Sequence, residues 1–202
     1  MPGGYDSESY FGLTGRRMHG LQTIGLGVLG FVLILIFLYN SLVYKRNQAA
    51  QAFASIDTYL KKRYDLIPNL VSAVKAYATH ERQTLEEVTA LRERYVAADR
   101  SGNSADTKVD IENQIAEVLP ELMARVEAYP EIKAGDHFLR LQHTLSDIEA
   151  HIAAARRFYN SAVTEYNNAL EMFPTNVIAS SCGFKPRVLF KIPSRERAAV
   201  RI

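Results

Sequence analysis

At 202 residues, 48% hydrophobic and 23% charged, the chain has room for one compact domain and an anchor. A net charge of +2 gives no footing to a nucleic-acid partner, and a lone cysteine, Cys182, excludes an intramolecular disulfide and any thiolate metal cluster.

In chain order, residues 1–19 open with Pro2, four glycines (Gly3, Gly4, Gly12 and Gly15) and several Ser and Tyr, the composition of a flexible tail. Residues 20–44 carry no charged side chain. As a helix they would run about 37 Å at about 1.5 Å per residue, enough to cross a hydrocarbon core of about 30 Å. No small-residue cleavage site follows the apolar run, so the segment reads as a retained anchor, with Tyr39 and Tyr44 as interfacial aromatics and Lys45-Arg46 as the polar stop. Arg16 and Arg17 precede the span, whereas Lys45, Arg46, Lys61, Lys62 and Arg63 follow it. This excess places the C-terminal part in the cytoplasm. Thr23, Gly27 and Gly30 share a helical face of small residues, which suits self-association in the bilayer, although glycine is also simply common in such helices.

Beyond the span, apolar residues recur at helical spacing from Phe53 to Tyr95, interrupted at Asp65-Leu66-Ile67-Pro68. Asp65 can cap and proline suits a first turn, so the pattern predicts a break between two helices there, with a kinked continuous helix as the alternative. The stretch 98–104 has turn chemistry around Gly102. Ile111, Ile115, Val118, Leu122 and Val126 give a third helix containing Pro120 and ending at Tyr129-Pro130. From Phe138 to Phe173 a heptad stripe (Leu141, Leu145, Ile148, Ile152, Ala155, Tyr159, Ala162, Tyr166, Ala169) predicts a long fourth helix, capped by Asp136 and stopped by Pro174. The predicted helices cover roughly 40–64, 66–98, 107–128 and 136–173. Their lengths leave two arrangements open, a folded bundle or an extended two-armed hairpin, and both bring residues 185–202 back toward the membrane.

The sequence offers no catalytic, cofactor or metal residues. His80-Glu81-Arg82-Gln83-Thr84 begins like a zinc-protease helix but lacks the second histidine. His143, Asp147 and His151 can share one helix face and could hold a divalent metal, though such residues more often form a solvated face. Phosphate loops and nucleophile elbows are absent from the sequence. Tyr159-Asn160 and Tyr166-Asn167 repeat one heptad apart, which puts the tyrosines on the core stripe and suits hydrogen bonds that set register, or alternatively a binding groove lined by Asn160 and Asn167. Asp57, Lys61, Lys62, Arg63 and Asp65 form either a helix-end charge cluster or a docking surface for a partner. Lys185, Arg187 and Lys191 alternate with apolar residues, as suits a segment lying on an anionic leaflet or a short strand.

Several ordered motifs carry a resemblance. They include Tyr39-Asn40-Ser41-Leu42-Val43, Ile56-Asp57-Thr58-Tyr59-Leu60 through Pro68-Asn69-Leu70-Val71, and Val74-Lys75-Ala76-Tyr77. Further on come Glu127-Ala128-Tyr129-Pro130, Arg156-Arg157-Phe158-Tyr159-Asn160 through Glu165-Tyr166-Asn167, and Phe173-Pro174 ending in Gly183-Phe184. With these the sequence resembles the LemA family from Tyr39 to Phe184. It departs from it in the longer N-terminal tail, in the short basic C-terminal tail, and at Ser146-Asp147-Ile148-Glu149-Ala150-His151, where the family often carries a Thr-Glu-Asn-Arg-like stretch. The resemblance implies a membrane-anchored bundle of bacterial type and favours the folded arrangement. The expectation is an all-α chain in which a single N-terminal transmembrane helix continues into a long antiparallel four-helix bundle over 45–184. The expected role is a non-enzymatic scaffold or adaptor in the bacterial inner membrane, self-associating and contacting lipid and an unidentified protein partner. A ligand- or metal-sensing bundle coupled to the span is the competing expectation.

Overall fold

A computed structural model of the chain describes residues 8–75, 81–102, 104–126, 128–133 and 135–191. Among these, six helices follow one another: α1 (Glu8–Lys75), α2 (Arg82–Arg100), α3 (Ala105–Val126), the single turn α4 (Pro130–Lys133), α5 (Asp136–Glu171) and α6 (Thr175–Ser181), after which residues 184–191 run without helix. The described residues hold no strand.

α1 is long and apolar enough to cross a membrane, and the side chains of Ile24 to Phe37 are exposed along most of its apolar stretch. It starts at Glu8, inside the stretch that composition reads as a tail, because extending an existing helix is far less costly than nucleating one. Span and bundle thus share one uninterrupted helix.

The expected break at Asp65-Pro68 is not there. α1 runs through Pro68 to Lys75, so residues 66–75 belong to the first helix and α2 starts only at Arg82. A proline in a helix lacks the N–H that would bond the carbonyl four residues back, here that of Tyr64. Arg92 of α2 supplies the missing donor, its Nε lying 3.0 Å from the Tyr64 oxygen. A tertiary contact therefore mends the flaw on which the sequence argument for a break rested. Two smaller boundaries also move: Gly135, not Asp136, is the N-cap of α5, and α5 ends at Glu171 before the unforeseen α6.

Helix directions follow from paired residues. Lys45 faces Glu165, Tyr59 faces His151 and Arg63 faces Glu149, so α5 descends antiparallel to α1. Asp57 meets Tyr95 while Tyr64 meets Arg92, so α2 also descends, and Lys108 and Glu112 near Asp57 and Arg63 make α3 ascend. The folded bundle is thus the arrangement adopted. Its core includes Ile56, Leu60, Ile67 and Leu70 of α1, Val88 and Leu91 of α2, Ile115 and Leu122 of α3, and Ile148, Ile152 and Val163 of α5. On α5, Arg156 and Val163 are buried where the stripe predicted Ala155 and Ala162, which are only half-buried, and Phe173 is 82% exposed. Larger side chains took the interior place wherever steps of three and four competed.

α2 and α3 are short, about 28 and 33 Å, against about 54 Å for α5 at about 1.5 Å per residue. The α1/α5 pair therefore continues toward the membrane beyond the α2–α3 turn, where Gly102 adopts a left-handed φ of 64°. α6 and the segment after it fill that end.

Candidate functional site

Two clusters of charge lie between the helices. In the inner one Arg63, fully buried, donates through Nη2 to Glu112 Oε2 and through Nη1 to Glu149 Oε1 at 3.1 Å; Arg156 Nη2 stands 3.6 Å from Glu112 Oε1, and Tyr64 donates to Glu112 Oε2 at 3.3 Å. Burial alone would lower the pKa of Arg63, but Glu112 and Glu149 outweigh it and hold the guanidinium charged. In the outer cluster Lys108 Nζ bonds Asp99 Oδ1 at 2.6 Å and Asp57 Oδ1 at 3.1 Å. Lys61 lies 3.5 Å from Asp57 and 3.4 Å from Asp99, and Tyr95 donates to Asp57 Oδ1 at 2.5 Å. The Lys108 hydrogen bond, with Lys61 beside it, lowers the Asp99 pKa. The Tyr64 and Tyr95 rings, stacked 3.9 Å apart, join the clusters.

Each cluster sets two cations against two anions, and together they draw residues from α1, α2, α3 and α5. Arg63 and Glu112 are fully buried and Lys108 and Arg156 nearly so, which is tolerated because they pair; removing one partner of such a pair leaves an uncompensated buried charge and costs about 3 to 5 kcal/mol. Three atoms remain without a hydrogen bond even so, Arg63 Nε, Glu112 Oε1 and Arg156 Nε.

The second construction is a strap. After α6, Gly183 takes a left-handed φ of 71° and the Phe184 N–H bonds the Ala179 carbonyl at 3.0 Å, reversing the chain onto the bundle. Residues 185–191 then lie in the groove between α5 and α3. Asn167 pairs with both backbone groups of Arg187 and Asn160 with both of Phe190, all at 2.9 to 3.0 Å. Tyr166 and Tyr159 donate to the carbonyls of Lys185 and Val188 at 3.0 and 2.9 Å. From the other wall Asp106 accepts the Val188 N–H at 3.2 Å and Asn113 the Lys191 N–H at 2.8 Å. A heptad of helix rises about 10 Å and so do three extended residues, which is why side chains one heptad apart on each helix serve strap positions three apart. The amides act as a sheet edge would. Phe190 is buried against Tyr159, ring centroids 5.0 Å apart, with the Arg156 guanidinium over its face.

These contacts place the residues singled out by sequence. Lys61, Lys62 and Asp65 are exposed; Asp57 is half-buried and ties the exposed Lys61 to the outer cluster, whereas Arg63 is fully buried in the inner one, so the five do not share one exposed face. Asn160 and Asn167 are occupied by the strap, which fills the groove they line. The basic segment is split: the backbone of Lys185, Arg187 and Lys191 is tied to the bundle, leaving only side chains to reach outward, and residues 192–202 lie outside the described residues. His143 Nδ1 lies 3.4 Å from Asp147, both exposed, whereas His151 stacks on Tyr59 at 4.8 Å; among the described residues no three metal-ligating side chains converge. His80 and the Thr23 side chain lie outside the described residues; an added Cβ at Gly27 or Gly30 would meet nothing within 4 Å.

Lys108, Glu112, Glu149 and Arg156 were missed. The signal existed, since Lys108 and Glu112 stand on the same stripe as Ile115, Leu119 and Leu122, and Arg156 lies between Ile152 and Tyr159 on the stripe of α5. Charges on a core stripe mark buried pairs. The heptad step from Asp106 to Asn113 likewise mirrors that of Asn160 and Asn167.

At the membrane-proximal end a cleft of about 410 Å³ opens between the α2–α3 turn and α6, with Arg46, Lys185 and Arg187 beside Tyr39, Tyr166 and Phe184. Arg46 lies over the Phe184 ring at 5.5 Å, and Tyr39 meets the same ring edge-on at 5.8 Å. Three cations line it, and Asp106 is the one acid among its lining residues.

Residues 52–202 match the model of the LemA family. The chain is 27% identical over 180 residues to Protein LemA of Metamycoplasma hominis, covering 89% of this chain and 79% of that one. It is 25% identical over 197 residues to Magnetosome protein MamQ 2 of Paramagnetospirillum magneticum, covering 86% and 72% of the two chains. The figure is 25% over 182 residues for Magnetosome protein MamQ of Magnetospirillum gryphiswaldense, covering 79% and 67%. With the family match spanning most of its length and the anchored bundle beneath it, this chain belongs to the LemA family.

Proposed function

We propose that the protein is a non-enzymatic scaffold of the bacterial inner membrane, its bundle on the cytoplasmic side, self-associating through its span and offering helical surface to protein partners. The observation that carries this reading is where the polar chemistry goes. The charge clusters and the amides of α5 are spent on holding helices and strap together, which builds a stiff body, whereas catalysis needs polar groups converging on an open pocket. An unbroken α1 passes any load on the bundle directly to the span. Relatives named as LemA and as magnetosome proteins share the sequence over most of their length, which supports a structural role independent of one substrate. Lys61, Lys62 and Asp65 are the exposed polar group for a partner, the open Gly27 and Gly30 face suits helix pairing, and Arg46, Lys185 and Arg187 suit contact with anionic lipid.

Particle mass in nanodiscs or mild detergent tests the scaffold: assemblies that shrink on Gly27→Leu with Gly30→Leu are expected, and a strictly monomeric wild type would refute self-association. Orientation has a native probe in Cys182, the single cysteine and an exposed one. A membrane-impermeant maleimide should label it only after spheroplasts are lysed; labelling of intact spheroplasts would reverse the topology.

A further inference from the structure

We propose that the corner joining α5 to α6, with Met172, Phe173 and Val177 at its tip, is a second membrane contact that embeds in the interfacial layer of the leaflet from which α1 emerges. The inference rests on reading α1 as the membrane span and goes beyond it, since a single helix anchor needs no further contact.

The corner is apolar where the fold gives it no protein partner. Phe173 is 82% exposed, Met172 63% and Val177 54%, and no charged residue occurs between Glu171 and Lys185 in a bundle otherwise dense with charge. Its height is set by the helix pairing. Lys45 faces Glu165, and each residue toward the membrane on α1 is matched by one further along α5, so Met172 stands about 10 Å beyond that pair, near the level of Leu38. Leu38 lies within the uncharged stretch 20–44. The packing of α1 agrees: Leu42 is fully buried and Leu35 and Leu38 are half-buried, while Phe37 remains 73% exposed. α6 packs on α1, and Tyr39 touches Phe184 just beyond it.

The corner also meets much of its backbone hydrogen-bond demand internally, as a segment leaving water must, although Asn176 Oδ1 is buried there without a partner. The single hydroxyl hydrogen of Thr175 is shared between the carbonyls of Ala169 and Met172, 2.5 and 2.9 Å from Oγ1, and the Asn176 N–H donates to the Met172 carbonyl at 2.9 Å. These carbonyls end α5 and would otherwise be orphans. Arg46, Lys185 and Arg187 line the cleft on the bundle side of the corner, near the level of the Lys45–Glu165 pair and so about 10 Å below Met172, where headgroups would lie. Lipid is the occupant because the patch continues the apolar surface of the span and the neighbouring cleft on its bundle side carries three cations. Two attachments, the span and this corner, would fix the tilt of the bundle on the membrane.

The chain has no tryptophan, so Phe173→Trp, Phe37→Trp and Phe158→Trp each install a single fluorophore at an exposed position: at the corner, in the span, and on α5 well outside the bilayer. The full-length variants are reconstituted into liposomes of anionic phospholipid with and without brominated acyl chains. The expected result is that brominated lipid removes more than half the emission of F37W and F173W and leaves F158W nearly untouched, with F173W shifted to the blue of F158W. Met172→Trp, which leaves Phe173 in place, should respond as F173W does. If F37W is quenched and both corner variants behave like F158W, the corner proposal is overturned and the span stands. Blue-shifted corner emission that brominated lipid does not quench means protein covers the patch, a second copy being the simplest case, and equally overturns it. An unquenched F37W would instead sink the membrane reading of α1, and the corner proposal with it.

Discussion

The mending of Pro68 by Arg92 makes a quantitative prediction. Replacing Arg92 with Met keeps much of the side-chain volume but removes the donor 3.0 Å from the Tyr64 carbonyl, which is shielded between α1 and α2 and has no helix partner. An unsatisfied buried acceptor costs about 1 to 3 kcal/mol, so a loss of about 2 kcal/mol is expected, or a fall in Tm of about 4 to 8 °C for a domain of this size. In a Pro68→Ala background the backbone N–H restored at that position can bond the same carbonyl, so the loss from Arg92→Met should drop below about 1 kcal/mol. A coupling of about 1 to 2 kcal/mol should remain between the two sites. Urea unfolding of the full chain in detergent, followed by far-UV circular dichroism, measures all four species. Equal losses from Arg92→Met in both backgrounds would show that Arg92 acts by packing alone and that the proline is accommodated some other way.

Other expectations follow from the same contacts. Glu112→Leu leaves Arg63 buried with only Glu149, and it should cost about 3 to 5 kcal/mol by denaturant unfolding, whereas Arg63→Met added to it should restore part of that loss. Asn160→Ala with Asn167→Ala strips four of the bonds holding the strap, so limited trypsin digestion should cut at Arg187 and Lys191 much faster than in the parent while the bundle core resists. Burial, with Asp106 adding to it, pushes the Tyr159 hydroxyl up to about 12 from the ordinary 10.0. A folded pKa above the unfolded one gives stability fully present below pH 10 and lost as pH rises toward 12, and Tyr159→Phe should flatten that alkaline decline in a pH series of melting curves.

What the sequence determined by itself was whatever depends on local periodicity. The uncharged run 20–44 and the heptad stripes dictated a span joined to long helices, because hydrophobic spacing acts within one helix and needs no knowledge of its neighbours. It also pointed to Asn160 and Asn167, one heptad apart beside core tyrosines. The tertiary structure decided the rest. Whether Pro68 breaks a helix depended on a donor from another helix, Arg92 of α2. Whether Arg63 is surface or core depended on Glu112 and Glu149 arriving from α3 and α5. The same holds for the strap, since Lys185 to Lys191 has no periodicity of its own and finds its conformation only in a groove lined by Asp106, Asn113, Asn160 and Asn167. Phe173 completes the contrast: it continues the apolar rhythm of α5, yet the helix ends at Glu171 and the ring turns outward. Periodicity says which face of a helix is apolar, and only the assembled fold says what covers it.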